Sequence, residues 1–313
     1  MARVLVFHPT QSAEYEALVR SNAAEHGLEV VAVAEPEDVA DALPSTDILL
    51  ASNSFPMNTL GGASSLRWVH VQGAGVDRWM SSALPHDVRV TRTVGTFGPR
   101  MAEYAMAHIL SVYQTVHAYR HQQGRHQWRA HDAVPLSGRV LGIAGLGSIG
   151  TALADRAHAF GMRVVGLART PRTDGPYRVF GQDDLLSFLA ELDVVVNIVP
   201  LTPATRHLFG AAAFEAMKPD AWFLNMGRGS TVDEPALVRA LQTRAIAGAI
   251  LDVFEEEPLP ASSPLWAMDN VVVTPHIAGS SIPEEVVASF MANVPLYAAD
   301  RPMLDEVERT RAY

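Results

Sequence analysis

The chain has 313 residues, 48% hydrophobic and 19% charged, enough for two domains that each bury a core. Its 34 acidic residues outnumber 24 basic ones, and the formal charge of -10 speaks against a general nucleic-acid surface. The absence of cysteine excludes disulfides, thiolate catalysis and cysteine-ligated metals. The apolar opening at 4–7 is too short for a signal peptide and no apolar run reaches bilayer length, so cytoplasmic residence is the default expectation.

From residue 2 to about 93, strands expected at 4–7, 28–34, 48–51, 68–71 and 88–91 alternate with helical stretches, the pattern of a small parallel α/β unit. Turn-rich segments at 52–56 and 72–75 interrupt them. One long helical run is expected to about residue 121, beginning after Gly98-Pro99. It carries Met101, Tyr104, Ala105, His108, Ile109 and Val112 at helical spacing, which reads as core or subunit packing. The stretch 122–136 is polar and rich in Arg and His. Of His117, His121, His126 and His131, only the first two have i,i+4 spacing and no carboxylate shares their face, so no metal site is expected.

Residues 140–150 read VLGIAGLGSIG, an apolar strand breaking into a glycine turn and then a helix from about Ser148. Gly145, Gly147 and Gly150 hold the G-x-G-x-x-G spacing: the first for a tight turn, the second for backbone approach to a pyrophosphate, the third for close packing of helix on sheet. The helix then points its partly positive N-terminus at the phosphates. Alternation continues with strands at 163–167, 194–198, 222–225, 247–251 and 271–274 and helices at 183–191, 211–217 and 234–243, before a last helix from 283 to about 300. Near-continuous apolar strands such as VVVNIV mark a sheet covered on both faces.

Three further segments follow strands of this second unit, where open α/β sheets bind ligands: NMGRGSTVDEPALVRAL from Asn225, LDVFEEEPLP from Leu251 and VTPHIAGSS from Val273. In this order after the glycine turn they resemble the D-isomer-specific 2-hydroxyacid dehydrogenase family over nearly the whole chain. The resemblance implies two doubly wound parallel-sheet domains, with the Rossmann-type dinucleotide-binding domain, 97–279, inserted into a flavodoxin-like substrate domain, 1–96 and 280–313. It also implies a homodimer built through the inserted domain, which would account for the long helix after Pro99.

By the same resemblance Arg228, Glu257 and His276 match the catalytic Arg, Glu and His. Hydride transfer to the carbonyl carbon of a 2-oxo acid builds negative charge on the carbonyl oxygen, so a proton donor must stand beside it. A free imidazole titrates near ~6.5, and a neighbouring carboxylate helps the protonated form persist at neutral pH. Glu255 and Glu256 rival Glu257, which is preferred because it directly precedes Pro258, as the family's Glu precedes Pro. An arginine keeps its proton and offers a rigid fork of donors for the substrate carboxylate. Taken singly, these residues also suit a surface ion pair and a capping histidine. Gly75 and Val76, in QGAGVD, match the turn whose backbone N–H groups receive the substrate carboxylate, although any tight turn uses glycine. Phe55, in the loop lining the other side of the substrate, serves either as an apolar wall or as core.

Further cofactor contacts implied by the family pattern are Ser148 and Ile149 at the pyrophosphate, Pro200 and Thr205 in VPLTPAT, Met226 beside the nicotinamide, and Asp252 accepting from its carboxamide. Asp252 also suits a turn cap and Pro200 a strand terminator. Folds that prefer NAD place Asp or Glu at the end of the second strand; here Ala168 is followed by Arg169, Thr170, Pro171 and Arg172. Arginines can pair with a 2′-phosphate, so NADPH is expected over NADH, against the plainer reading of solvated surface arginines. The expected activity is reduction of a small 2-oxo acid, glyoxylate or hydroxypyruvate, to a D-2-hydroxy acid, with no nucleic-acid or membrane partner. A non-catalytic dinucleotide sensor of the corepressor type is the alternative.

Overall fold

A computed structural model describes residues 1–80, 84–172 and 175–308. In chain order the elements are β1 (Ala2–Phe7), α1 (Ser12–Ala23), β2 (Leu28–Val33), α2 (Pro36–Ala42), β3 (Ile48–Ala51), β4 (Trp68–Val71), β5 (Arg89–Arg92), α3 (Phe97–Tyr113) and α4 (Val116–Gly124). They continue with β6 (Val140–Ala144), α5 (Ser148–Ala159), β7 (Arg163–Leu167), β8 (Arg178–Phe180), α6 (Leu185–Leu189), β9 (Val194–Asn197), α7 (Ala211–Ala216), β10 (Trp222–Asn225), α8 (Glu234–Gln242), β11 (Gly248–Leu251), β12 (Val271–Val273) and α9 (Pro283–Ala298). The chain divides into two compact units, Met1–Thr96 with Ser281–Tyr313, and Phe97–Ser280. No helix among the described residues is long and apolar enough to cross a membrane.

The first unit is a five-stranded parallel sheet ordered β2-β1-β3-β4-β5, the flavodoxin-like order. Alternate side chains leave a strand on opposite faces, and both faces of β1 are apolar. Val4 and Val6 join a core with Tyr15 and Val19 of α1 and Phe290 of α9, whereas Leu5 and Phe7 join one with Val39, Leu43 and Trp79. Trp68 stacks on Phe290 with centroids 4.9 Å apart, tying α9 to β4. The edge at β5 is covered by the segment after α9: Val307 N–H donates to Val90, and Arg89 makes a two-pronged pair with Glu306 at 2.8 and 2.7 Å.

The second unit is a seven-stranded parallel sheet ordered β12-β11-β10-β9-β6-β7-β8, a Rossmann order with one added strand. The α/β reading with two doubly wound sheets is thus correct. Registers align Phe180, Leu167, Ala144, Asn197, Asn225, Leu251 and Val273 in one row at the carboxyl ends of the strands. Gly145, Ala168, Ile198, Met226, Asp252 and Thr274 each stand one residue beyond that row, so the loops of interest all leave the sheet at one edge.

Three local expectations need correction. The single run over 97–121 is two helices, because Thr115 takes a left-handed φ of 53° and opens a new turn with Tyr119 N–H bonding its carbonyl. The first helix already includes Gly98 and Pro99, since a proline in the first turn forfeits no helical hydrogen bond. The helix expected at 183–191 is only α6, preceded by a 3-10 turn at Gln182–Asp184, and β8 was too short to show a period of two.

Candidate active site

At the switch point between β6 and β9, Gly145 has a φ of +101°, and a Cβ there would lie 2.9 Å from the Ile198 carbonyl. A Cβ on Gly150 would lie 2.5 Å from the Gly145 carbonyl oxygen, so helix and turn touch backbone to backbone. Gly147 differs: a Cβ on it would meet nothing within 4 Å. It N-caps α5 without a side chain, and among the described residues no other side chain caps that end. The first-turn N–H groups of Ser148 and Ile149 therefore remain available to an anion. This open, uncapped helix start fits the pyrophosphate of a dinucleotide, which Gly147, Ser148 and Ile149 would hold.

Beyond β7, Arg169, Thr170 and Arg172 are exposed. Arg172 and Val179 exchange backbone bonds of 3.1 and 3.0 Å, an antiparallel bridge that ties Arg172 to β8. Pro200 is exposed, and its carbonyl accepts from Thr205 Oγ1 at 2.7 Å while Thr205 Oγ1 accepts from Thr202 N–H at 2.8 Å. Thr205 thus fastens its own loop. Met226 is packed away from solvent, its N–H bonded to the Asn197 carbonyl.

The loop bearing Arg228 is held from below by two asparagines at the strand ends. Asn197 Nδ2 donates to Asn225 Oδ1 at 3.0 Å and to Thr231 Oγ1 at 2.7 Å, and Thr231 Oγ1 donates on to the Arg228 carbonyl at 2.6 Å. Asn225 Nδ2 reaches the same carbonyl at 3.3 Å, so the backbone under half-buried Arg228 is fixed, and the guanidinium itself donates to the Gly227 carbonyl at 2.9 Å. The next residue is pressed against the Glu257 loop: a Cβ on Gly229 would fall 1.8 Å from the Phe254 carbonyl oxygen. That glycine is why the two loops can abut.

Of the three consecutive glutamates, Glu257 bonds His276, Oε2 to Nδ1 at 2.7 Å, while its Oε1 accepts the Phe254 N–H at 3.0 Å. Glu255 instead pairs with His207 at 2.8 Å and Arg206 at 3.6 Å. Burial works to raise the Glu257 carboxyl, but the His276 hydrogen bond, the Phe254 N–H and the charges of His276 and Arg228 outweigh it and hold the group below its ordinary value. The pair is accordingly an ionised carboxylate beside an imidazole, with the Arg228 cation close enough to be felt.

His276 itself has a left-handed φ of 54°, a conformation that costs a side-chain-bearing residue about 1–2 kcal/mol. Asp252 compensates. Its carboxylate accepts Ile277 N–H and Ala278 N–H, each at 2.9 Å, and Thr274 Oγ1 at 2.6 Å, while its carbonyl accepts His276 N–H. These bonds make Asp252 a cap of the turn that carries His276.

In the first unit, the turn at Gly75 and Val76 is braced by Asn53, whose Nδ2 donates to the Gly75 carbonyl at 3.1 Å and whose Oδ1 accepts from Trp79 Nε1 at 3.1 Å. Val76 is buried. Phe55 is core rather than a wall: it is wholly buried, edge-on to Phe7 at 5.4 Å and tilted against Trp79 at 5.4 Å. Among the histidines between α4 and β6, His131 bonds Gln122, and among the described residues no group of three metal-ligating side chains occurs. The residues that sequence reasoning missed are Gly229, Asn197, Asn225, Thr231 and Asn53. Only the glycine of GRG carried a local signal.

A Rossmann sheet whose switch point presents an uncapped helix, and whose neighbouring strand ends present a carboxylate-buttressed imidazole beside an arginine, belongs to the nucleotide-dependent dehydrogenases. Residues 106–278 match the model of the D-isomer specific 2-hydroxyacid dehydrogenase, NAD binding domain. The chain is a member of the D-isomer-specific 2-hydroxyacid dehydrogenase family, an NAD(P)-dependent oxidoreductase. It is 31% identical over 266 residues to glyoxylate/hydroxypyruvate reductase A of Yersinia enterocolitica, covering 82% of this chain and 85% of that one. A D-isomer-specific 2-hydroxyacid dehydrogenase family protein from Aeromonas salmonicida superposes with a TM-score of 0.91 at 35% identity, over 99% of this chain and 100% of the other. An NADPH-dependent glyoxylate/hydroxypyruvate reductase from Sinorhizobium meliloti, solved with NADP and sulfate, superposes with a TM-score of 0.89 at 30% identity over 100% of both chains.

Proposed function

We propose that the protein reduces glyoxylate or hydroxypyruvate to the corresponding hydroxy acid, D-configured where the product carbon is chiral, using NADPH in preference to NADH. The observation that carries this reading is the 2.7 Å pair of Glu257 and His276 beside the Arg228 charge at the carboxyl edge of the Rossmann sheet. When bound, the reduced nicotinamide supplies the hydride. His276 gives the carbonyl oxygen its proton, and Glu257, bonded to its Nδ1 at 2.7 Å, keeps the imidazole aligned. Arg228 holds the substrate carboxylate and polarises the carbonyl, and the removal of one such preorganised donor typically costs about 3 kcal/mol of barrier. Gly75 and Val76 add backbone N–H groups to the carboxylate, a role carried over from the family likeness, as are the assignments of the first unit as substrate domain and of the chain as a homodimer.

The NADPH preference rests on Ala168 where an acidic residue would repel a 2′-phosphate, with Arg169 and Arg172 exposed beside it. The Sinorhizobium relative, described as NADPH-dependent, supports it. The reductases among the relatives favour the enzyme over the corepressor-type alternative. Nicotinamide absorbance followed with a panel of 2-oxo acids is the test. Turnover of glyoxylate or hydroxypyruvate with NADPH, and slower turnover with NADH, is expected; a strong NADH preference would sink the cofactor assignment, and no consumption with any acid would sink the activity.

A further inference from the structure

We infer that Tyr104, on α3, is a positioning residue for His276, acting through Thr274 and Asp252; the inference rests on the reading of His276 as the proton donor. Tyr104 OH lies 2.7 Å from Thr274 Oγ1, which in turn lies 2.6 Å from Asp252 Oδ1. A carboxylate only accepts, so the single Thr274 proton goes to Asp252 and the Tyr104 hydroxyl must donate to Thr274. The direction of the chain is thereby set: Tyr104 to Thr274 to Asp252. The same Asp252 carboxylate takes the N–H groups of Ile277 and Ala278. Those two bonds, with His276 N–H to the Asp252 carbonyl, hold His276 in its left-handed conformation and aim its ring at Glu257.

The far end of the chain is firmly seated. The Tyr104 ring packs on His108 with centroids 4.5 Å apart. One turn earlier Met101 Sδ lies 3.2 Å from where a Gly279 Cβ would stand, so α3 also backs the loop that carries His276. Nearer its start α3 meets α5 closely, with Gly98 against Ala152. The helix that carries Tyr104 therefore has a reason for its polar residue beyond packing: it completes the hydrogen-bond set of the loop on which the acid sits.

The test compares Tyr104→Phe, Thr274→Val and Thr274→Ser in the full-length protein with NADPH and glyoxylate. Tyr104→Phe is expected to lower kcat about tenfold, the worth of one well-made hydrogen bond, with KM for both substrates within twofold of wild type. Thr274→Ser, which keeps the hydroxyl and loses a methyl, is expected to retain activity, whereas Thr274→Val is not, and the Tyr104→Phe/Thr274→Val double variant is expected to be no worse than Thr274→Val alone. Wild-type kcat in Tyr104→Phe, a Thr274→Ser defect as large as that of Thr274→Val, or additive losses in the double variant would overturn the inference. His276→Ala run alongside separates the two readings: if it is inactive while Tyr104→Phe is normal, only the positioning role fails, and if it is fully active the proton-donor reading fails.

Discussion

Replacing Gly229 by alanine tests how closely the Arg228 and Glu257 loops must meet. The added methyl would lie 1.8 Å from the Phe254 oxygen, 1.9 Å from its carbon and 2.4 Å from Glu255 N, all backbone atoms that cannot swing aside as a side-chain tip would. Restoring even a 3.0 Å contact requires the two loops to part by more than 1 Å. Overpacking of this kind costs about 1–3 kcal/mol of stability, and a misplacement of about 1 Å in a catalytic constellation costs about a hundredfold in rate. Gly229→Ala should therefore still fold and bind NADPH, with kcat for glyoxylate down by about two orders of magnitude and a modestly lower melting temperature. Cofactor affinity by fluorescence titration and steady-state kinetics on the same preparation are the assays. A kcat within threefold of wild type would refute the claim that abutment of these loops sets the geometry.

Glu257→Gln keeps the shape and removes the charge; loss of a charge-assisted bond of about 1.5–3 kcal/mol should lower kcat about 10- to 100-fold with little change in cofactor affinity. Because the folded-state value of Glu257 is depressed, its stabilisation is present above the ordinary glutamate value of 4.5 and is lost as pH falls through the lower folded value. Denaturant titrations of wild type and Glu257→Gln should converge in that acid range, and a constant gap between them would contradict the sign. In the first unit, His70 is wholly buried between Thr91 and Thr93 and burial pushes it down to about 3. The unfolded chain binds its proton near 6.5, so wild type should lose about 2 kcal/mol between pH 6.5 and 4.5 relative to His70→Gln. Parallel stability–pH curves for the two proteins would show that His70 does not carry the effect. Arg169→Ala should raise KM for NADPH several-fold and leave that for NADH alone, as steady-state kinetics with each cofactor would reveal; equal rises for both would remove the 2′-phosphate assignment.

Features written into local spacing were the ones legible in the sequence. Gly145, Gly147 and Gly150 can be read from an eleven-residue window, as can the apolar strands of the second sheet, because steric need and burial leave short-range marks. Arg228, Glu257 and His276 were recognisable only as motifs; what brings them together is the register row ending at Asn225, Leu251 and Val273, which no local pattern states. The Asn197–Thr231 and Asn53–Trp79 bonds join residues 34 and 26 positions apart, and an asparagine at a strand end looks like any other turn signal. Phe55 was ambiguous because an apolar side chain near a loop serves a wall and a core equally well, and only its burial against Phe7 and Trp79 decides. The break at Thr115 was hidden because the helical spacing of apolar residues continues up to it, while the φ reversal belongs to the packing of the turn.

The measurement that bears most directly on the whole account is the single-turnover rate of NADPH oxidation by glyoxylate in wild type and in His276→Ala, at saturating cofactor and substrate. A loss of at least a hundredfold in the hydride-transfer step, with the binding of both ligands retained, is what a carboxylate-held proton donor requires. A variant that transfers hydride at the wild-type rate would contradict it.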